Sequence, residues 1–256
     1  KFNNLYLVGG TWRSLFKLHL FQNNHPVHII HQYSIDKSTL TKFVEKISSF
    51  NKSKLKTVEY ISKSRTQFLP YSSIILDEIM SITNPKKIIC SISGLREGSL
   101  SIDHFKNTKE SEIFTKSIEY IALKRGDLGS TYQKYFKFIL PVFDGNEHYN
   151  KKLLYLACVL SHMDWGLGAF QKAELVFQET LNTPLLRLTH KERIQLALSC
   201  YWRYCSIKYN PKFEYLTFLN NNEIFSSKQV GAALRFSQSL TSISTIFLEE
   251  FKLYKR

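Results

Sequence analysis

The pattern of apolar and polar residues changes character along the chain. In the first hundred residues, short apolar runs alternate with stretches in which apolar residues recur every three or four positions, which predicts strands and helices in turn. Strands are predicted at 5–8, 27–33 and 87–92, and helices at 39–50 and 70–82, the second with Pro70 at its first position. Residues 1–103 are therefore predicted to form an α/β domain.

The second part of the chain has a helical pattern throughout. Residues 103–112 are polar and show no apolar period, so we predict that they link two domains. Beyond them, apolar residues three and four apart predict packed helices over 153–160, 185–198 and 230–240. Residues 104–256 are therefore predicted to form an all-helical domain. No period of about 20 to 50 residues recurs, which excludes a solenoid.

A pair of glycines closes the first predicted strand. Gly9, Gly10 and Thr11 follow the apolar run and precede a helical pattern that begins near Arg13. Glycine allows φ > 0 and a close approach to a ligand, which we expect of both glycines here. A helix starting at such a turn directs free N–H groups and the positive end of its dipole toward an anion. The turn is a candidate phosphate-binding site, and a plain strand-to-helix turn is the alternative.

A second turn follows the third predicted strand, with the sequence Ser-Ile-Ser-Gly-Leu-Arg-Glu-Gly at residues 91–98. The Gly-Gly-Thr-Trp-Arg turn at 9–13 and this block, in this order and spacing, resemble the Ppx/GppA phosphatases, which are exopolyphosphatases and guanosine pentaphosphate phosphohydrolases. Two weaker similarities agree with this resemblance. They are the Arg-x-x-x-Leu-Pro element at 65–70 and the His-x-x-Arg-x-x-Leu-Ala element at 190–197.

The resemblance implies a fold and an activity. Residues 1–103 would be the C-terminal part of a ribonuclease-H-like (actin-like ATPase) lobe, and residues 104–256 a helical HD-like domain. The chain would be a portion of a bacterial exopolyphosphatase-type hydrolase that removes terminal phosphate from inorganic polyphosphate or guanosine pentaphosphate. Mg²⁺ is the cofactor that the resemblance implies for the intact enzyme.

The resemblance also implies that the catalytic machinery lies elsewhere. In the family, the catalytic Glu and two acidic glycine-rich loops precede the Gly-Gly-Thr turn, and this sequence contains none of them. It opens almost at once into a core strand, so we expect a piece of a longer polypeptide whose N-terminal lobe is its partner. We expect no catalytic residue and no phosphatase activity in this chain alone, and a homodimer remains open.

The resemblance assigns roles to individual residues. The phosphate-binding candidates are Gly9, Gly10, Thr11, Arg13 and Arg65. For Arg13 a surface or structural role is the alternative, and for Arg65 an ion pair with Asp77 or Glu78.

The second turn and the helical domain supply residues of other kinds. For Arg96 and Glu97 we expect a structural or interlobe role. True HD domains hold metal with histidines and a His-Asp pair, and His162 and Asp164 resemble such a pair. The family's Asp is replaced by His162, however, and its His-Pro-x-x-Arg element is missing. We expect no metal site, and we expect His162 and His190 to be polar residues of a helical core.

The net charge of +14 favours polyanionic partners. The charge is evenly spread, because residues 1–103 hold 14 lysines and arginines against 7 acidic residues and the rest of the chain holds 21 against 14. A biased genome composition explains such a surface equally well. The alternative function is therefore a non-catalytic polyanion-binding or interaction module. Nucleic-acid binding has no recognition-helix or aromatic-platform motif to support it.

Cysteine usage and hydropathy limit the compartment. The four cysteines, at 90, 158, 200 and 205, form no C-x-x-C pair and no metal-ligand spacing. They are expected to be reduced, buried thiols of a cytoplasmic protein. No stretch approaches the roughly 20 apolar residues that span a bilayer, so we expect no membrane partner.

Overall fold

The computed structural model describes residues 2–104, 108, 110–126, 131–144, 150–162, 168–183, 185, 188–209, 213–241 and 247–254. The chain divides into two compact units, Lys1–Asn107 and Thr108–Arg256. The boundary lies within the polar segment at 103–112. Helices extend into that segment from both sides, because one ends at His104 and the next begins at Glu110.

The first unit is built on a three-stranded mixed sheet. Its elements are β1 (Asn4–Val8), α1 (Gly10–Gln22), β2 (Ser34–Asp36), α2 (Lys37–Ser48), α3 (Lys52–Lys56), α4 (Lys63–Thr66), α5 (Leu69–Thr83), β3 (Lys87–Ser91) and α6 (Leu95–His104). The strand order is β1-β3-β2, with β1 parallel and β2 antiparallel to β3. Among the described residues, one edge of β1 has no neighbouring strand. The unit is α/β, as predicted, with more helix than sheet.

The strand predicted at 27–33 is wrong. Val27 and Tyr33 are buried, which explains the apolar run, but this segment is irregular. Gln32 has φ of 63°, a left-handed value that interrupts an extended strand. The second strand begins only at Ser34.

The core of the first unit lies on one face of the sheet. Leu7, Ile88 and Cys90 are buried there against helices α1, α2 and α5. Tyr6 and Val8, whose side chains point to the other face, are exposed. Helix α5 packs against α1 and α2, and Pro70 is its second residue rather than its first.

In the described residues of the second unit, all regular secondary structure is helical. Its helices are α7 (Glu110–Lys124), α8 (Thr131–Phe143), α9 (Lys151–Leu160), α10 (Ala169–Asn182), α11 (His190–Tyr204), α12 (Phe213–Leu216), α13 (Asn221–Leu240) and α14 (Phe247–Glu250). Helix α11 lies at the centre and packs against α9, α10 and α13. In the described part of the chain, no helix is both long and apolar enough to cross a membrane.

The local sequence explains where the central helix begins. A helix was predicted from 185, but α11 starts at His190. The Thr189 hydroxyl oxygen accepts a hydrogen bond from the Glu192 amide, and the Thr189 amide donates one to the Glu192 carboxylate, which closes the capping box at this position. Leu185 and Leu188 are buried in the segment before the helix, so their apolar character reflects packing and not helical structure.

Candidate anion-binding site

The two glycine-containing turns meet at one edge of the sheet. Strands β1 and β3 are parallel, and their last residues, Val8 and Ser91, are partners in the register. The turn at Gly9 and the turn after Ser91 therefore leave the sheet side by side. Helices α1 and α6 begin at this same edge, although their first residues are 85 positions apart in sequence.

The first turn depends on Gly9. This residue has φ of 128°, which side chains disfavour, and its carbonyl accepts the hydrogen bond of the Arg13 amide that opens α1. Gly10 is the first residue of α1 and lies outside the positive-φ region. The expectation that both glycines supply φ > 0 is thus right for Gly9 and wrong for Gly10.

Gly10 instead makes room for a cation. A Cβ atom at Gly10 would lie 3.0 Å from Cζ of Arg65 and 3.1 Å from one of its Nη atoms, so the guanidinium group rests where a side chain would otherwise be. Arg65 is exposed on α4, and it forms no ion pair with Asp77 or Glu78. The half-buried Thr11 is the next residue of α1. The structure thus brings four of the predicted residues to the start of one helix.

Arg13 joins the two turns. Its Nε donates a 3.0 Å hydrogen bond to the carbonyl of Ser91, 78 residues away. One of its Nη atoms lies 3.8 Å from the position that a Cβ would occupy at Gly94 in the second turn. Arg13 therefore makes a structural contact between the two turns and brings one Nη atom close to the second turn.

Glu97 organises the second turn. Its carboxylate accepts a 2.6 Å hydrogen bond from the Gly94 amide at the start of α6. The pKa of Glu97 is lowered because its own amide and that of Gly94 bind the carboxylate, with Arg13 and Arg96 adding favourable charge. Arg96 is exposed, and its guanidinium makes no hydrogen bond or ion pair with the described residues.

The structural role of His31 was missed in the sequence analysis. This histidine is buried, and its Nδ1 accepts a 3.3 Å hydrogen bond from the Ile92 amide in the second turn. The neighbouring backbone fixes its place, since the Gln32 amide donates to the Cys90 carbonyl at 2.9 Å. No local motif marks such a residue, because the contact spans 61 positions.

The charges at this edge suit an anion. Arg13, Arg65 and Arg96 supply three guanidinium groups, and the N-terminus of α1 adds its partial positive charge. The carboxylate of Glu97 is occupied by backbone amides. Nowhere in the described residues do three or more His, Cys, Asp or Glu side chains form a group that could hold a metal ion. The charges and the helix N-terminus at this edge are therefore compatible with phosphate oxygens.

In the second unit, the described residues on which the HD-like resemblance rests belong to the buried helical core or lie next to it. Buried Arg193 donates to the carbonyls of Leu181, Thr183 and Leu185 at 3.2, 2.5 and 3.3 Å, where α10 ends. His190 is buried and His162 is partly buried. Asp164 lies outside the described residues.

A second buried arginine connects its own helix to three others. Arg203 of α11 donates to Ser161 Oγ at 2.7 Å and to Gln238 Oε1 at 3.1 Å, and its guanidinium lies against the rings of Tyr135 and Tyr204. These contacts join α11 to the end of α9, to α13 and to α8. No carboxylate of the described residues pairs with Arg203, so hydrogen bonds and ring faces offset the cost of burying its charge.

A family model matches the first unit of the chain. Residues 1–105 match the model of the Ppx/GppA phosphatase family. The resemblance inferred from the two turns is thereby confirmed for this part of the chain. No curated protein matches the chain significantly.

Proposed function

We propose that the first unit forms one wall of the phosphate-binding cleft of an exopolyphosphatase-type hydrolase, whose substrate is inorganic polyphosphate or guanosine pentaphosphate. The family match supports the hydrolase class. The observation that carries the proposal is the Arg65 guanidinium lying over Gly10 at the start of α1. This arrangement places a bidentate cation beside the helix amides that have no carbonyl partner within the helix.

The binding step follows from these groups. A terminal phosphate at the start of α1 would accept hydrogen bonds from the first amides of the helix and from Arg65. Arg13 would keep the second turn in place through Ser91 while its Nη groups face the next phosphate along a chain. Phosphates in sequence along the edge would then meet guanidinium groups in sequence, as a linear polyanion requires.

The hydrolytic step requires residues beyond this edge. Cleavage of a phosphoanhydride needs a base or a carboxylate that orients water, and usually Mg²⁺. Three guanidinium groups and one amide-bound carboxylate do not fit a magnesium ion, which prefers oxygen ligands. We therefore propose that the catalytic Glu and the Mg²⁺ ligands belong to an N-terminal lobe, and that this chain alone releases no phosphate.

Binding of tripolyphosphate, measured by titration calorimetry on the full chain at low salt, tests the binding role. Arg65→Gln should weaken binding about tenfold or more, because a charge-assisted phosphate contact is lost. Lys63→Gln, which removes the same charge from the same exposed helix α4, should weaken it less than about twofold. Equal losses in the two variants would show that the affinity is only generic charge attraction.

Phosphate release from polyphosphate, measured with Mg²⁺ present, tests the catalytic half of the proposal. The chain alone should give no more phosphate than a blank without protein. Release that a chelator abolishes would overturn the assignment of catalysis to a separate lobe. Tripolyphosphate binding without release also fits the alternative of a non-catalytic polyanion-binding module, and recovery of activity on adding a family N-terminal lobe separates the two.

We further propose that the second unit is an HD-like helical domain without a metal and that the protein is cytoplasmic. The central position of α11, which carries the His-x-x-Arg element at 190–193, supports the domain assignment. The structural use of Arg193 and Arg203 supports a role in stability for this unit. The four buried cysteines, which form no disulfide, support a reducing compartment.

A further inference from the structure

The first unit contains an open cavity at the C-terminal end of α1, away from the two glycine-containing turns. Its walls come from α1, α2, α3 and the segment at 57–60, and its volume is about 400 Å³. Small-molecule sites in proteins usually measure about 300–1,000 Å³. Because a helix rises about 1.5 Å per residue, Phe21 in this cavity lies about 16 Å along α1 from Gly10. The cavity is therefore separate from the candidate anion-binding site.

Three aromatic side chains line this cavity, which we call the aromatic cavity: Phe21, Phe50 and Tyr60. The rings of Phe21 and Tyr60 are stacked, with centroids 4.1 Å apart and planes within 9° of each other. Tyr60 has φ of 67°, a left-handed value that bulky residues rarely adopt, and it is 56% exposed. Backbone strain of this kind is common at ligand-binding sites. The segment at 57–60 thus holds an exposed ring over α1 at a conformational cost.

Lysine side chains accompany the aromatic walls. Lys46 and Lys54 line the cavity and are exposed, and Nζ of Lys54 lies 5.6 Å from the centroid of the Phe50 ring. Nζ of Lys17 lies 5.8 Å from the centroid of the Phe21 ring. No ion pair among the described residues includes any of these three lysines. The cavity therefore presents aromatic rings and positive charge side by side.

We propose that the aromatic cavity binds a small aromatic carboxylate. The ring of the ligand would pack among the three aromatic side chains, where ring contacts are favourable beyond the burial of apolar area. Its carboxylate would face the ammonium groups of Lys46 and Lys54. A few polar groups beside an apolar lining are the usual means by which a small-molecule site orients its ligand.

The charge of the lining favours a monoanion over a phosphate chain. Glu59 also lines the cavity, so its two lysines and one glutamate give a net charge of +1. A single carboxylate neutralises this charge, whereas a polyphosphate chain would bring several negative charges close to Glu59. Neither Gly10 nor Arg65 lines the cavity, so the inference does not depend on the proposed function.

A ligand-detected NMR titration of the full chain with 2-naphthoate tests the proposal. The wild-type chain should bind this ligand of about 13 non-hydrogen atoms with a Kd of about 0.1–1 mM. The uncharged 2-naphthylmethanol, which has the same ring, should bind at least about threefold more weakly. Excess tripolyphosphate should not displace 2-naphthoate. Absence of binding up to about 5 mM, equal binding of the alcohol, or displacement by tripolyphosphate would overturn the proposal.

A pair of tyrosine variants tests the aromatic wall. Tyr60→Ala should weaken the binding of 2-naphthoate about fivefold or more, because one ring of the wall is lost. Tyr71→Ala is the matched control, because Tyr71 is 67% exposed on α5 and does not line the cavity. It should bind like the wild type. Equal losses in the two variants would place the ligand elsewhere and refute the assigned site.

A pair of lysine variants tests the charge and leaves every ring in place, so it remains decisive if Tyr60→Ala disturbs the fold. Lys46 and Lys42 are both exposed on α2, but Lys42 does not line the cavity. Lys46→Gln should weaken the binding of 2-naphthoate about threefold and leave that of 2-naphthylmethanol unchanged. Lys42→Gln should change neither. If both variants weaken 2-naphthoate equally, the attraction is generic and the proposal is wrong.

Discussion

Gly231 offers a test of how closely two central helices approach. It lies within α13, where a Cβ would be 2.5 Å from Cβ of Trp202 and 2.9 Å from the carbonyl oxygen of Ser199 in α11. Carbon atoms pack best at about 3.5–4.0 Å. Gly231→Ala would therefore force α13 away from α11 by about 1 Å. No flexible side-chain end is present to move, since the obstacles are the backbone of α11 and the root of a fully buried tryptophan.

The magnitude follows from two opposing contributions. Alanine favours a helix interior over glycine by about 0.5–1 kcal/mol. Overpacking a core typically costs about 1–3 kcal/mol, and a contact with rigid backbone belongs at the upper end. We expect Gly231→Ala to lower the free energy of unfolding of the second unit by about 2 kcal/mol.

Gly98→Ala is the matched control, because a Cβ at Gly98 in α6 meets no atom within 4 Å. It should raise the free energy of unfolding of the first unit by about 0.5–1 kcal/mol. Urea denaturation followed by tryptophan fluorescence measures both, with Trp202 reporting on the second unit and Trp12 on the first. If Gly231→Ala is as stable as the wild type, the close approach of α11 and α13 is refuted.

Three further predictions concern buried polar groups. Burial, with smaller contributions from the charges of His28 and His19, lowers the pKa of His25 to about 4 from its ordinary 6.5. Because the folded-state pKa lies below the unfolded one, the neutral ring stabilises the folded state fully above pH 6.5, and this stabilisation is lost as the pH falls to 4. The loss in free energy of unfolding is up to about 3 kcal/mol. In His25→Asn, the midpoint of urea denaturation should therefore depend less on pH across this range than it does in the wild type. His31→Leu should speed hydrogen exchange of the Ile92 amide about tenfold, whereas His31→Asn, whose Oδ1 can replace Nδ1 as acceptor, should not. Since burial raises the pKa of Cys90 to about 12, and raises that of the other three thiols, none of the four should react with a maleimide at pH 7 before urea unfolds the chain.

Local signals were sufficient for the elements that form the edge of the site. The strand before Gly9 and the strand before Ser91 both ended in turns with glycine, and parallel pairing of β1 and β3 then placed the turns together. The helix predicted at 70–82 was right to within one residue at each end, because Pro70 marks its start and Asn84 ends it with a left-handed φ of 44°. These features are fixed by residues close together in sequence.

Contacts between distant residues could not be predicted in this way. The position of Arg65 over Gly10 depends on how α4 packs against α1, and the hydrogen bond from Ile92 to His31 depends on a loop that pairs with β3. The error at 27–33 has the same origin, because buried side chains in that loop imitate a strand. Burial by tertiary packing leaves the same apolar pattern whether the backbone is extended or irregular.

The hydrogen bond from Arg13 to Ser91 would also connect the proposed phosphate binding to folding kinetics. The chain must close a loop of 78 residues before this contact forms, at an entropic cost of about 4 kcal/mol plus a constant. The turns are local, but their pairing is among the long-range contacts of the first unit and is expected to form late. A phosphate chain that touches both turns would act as a tether across that loop. It would slow the unfolding of the whole unit, because the loop cannot open until the ligand leaves.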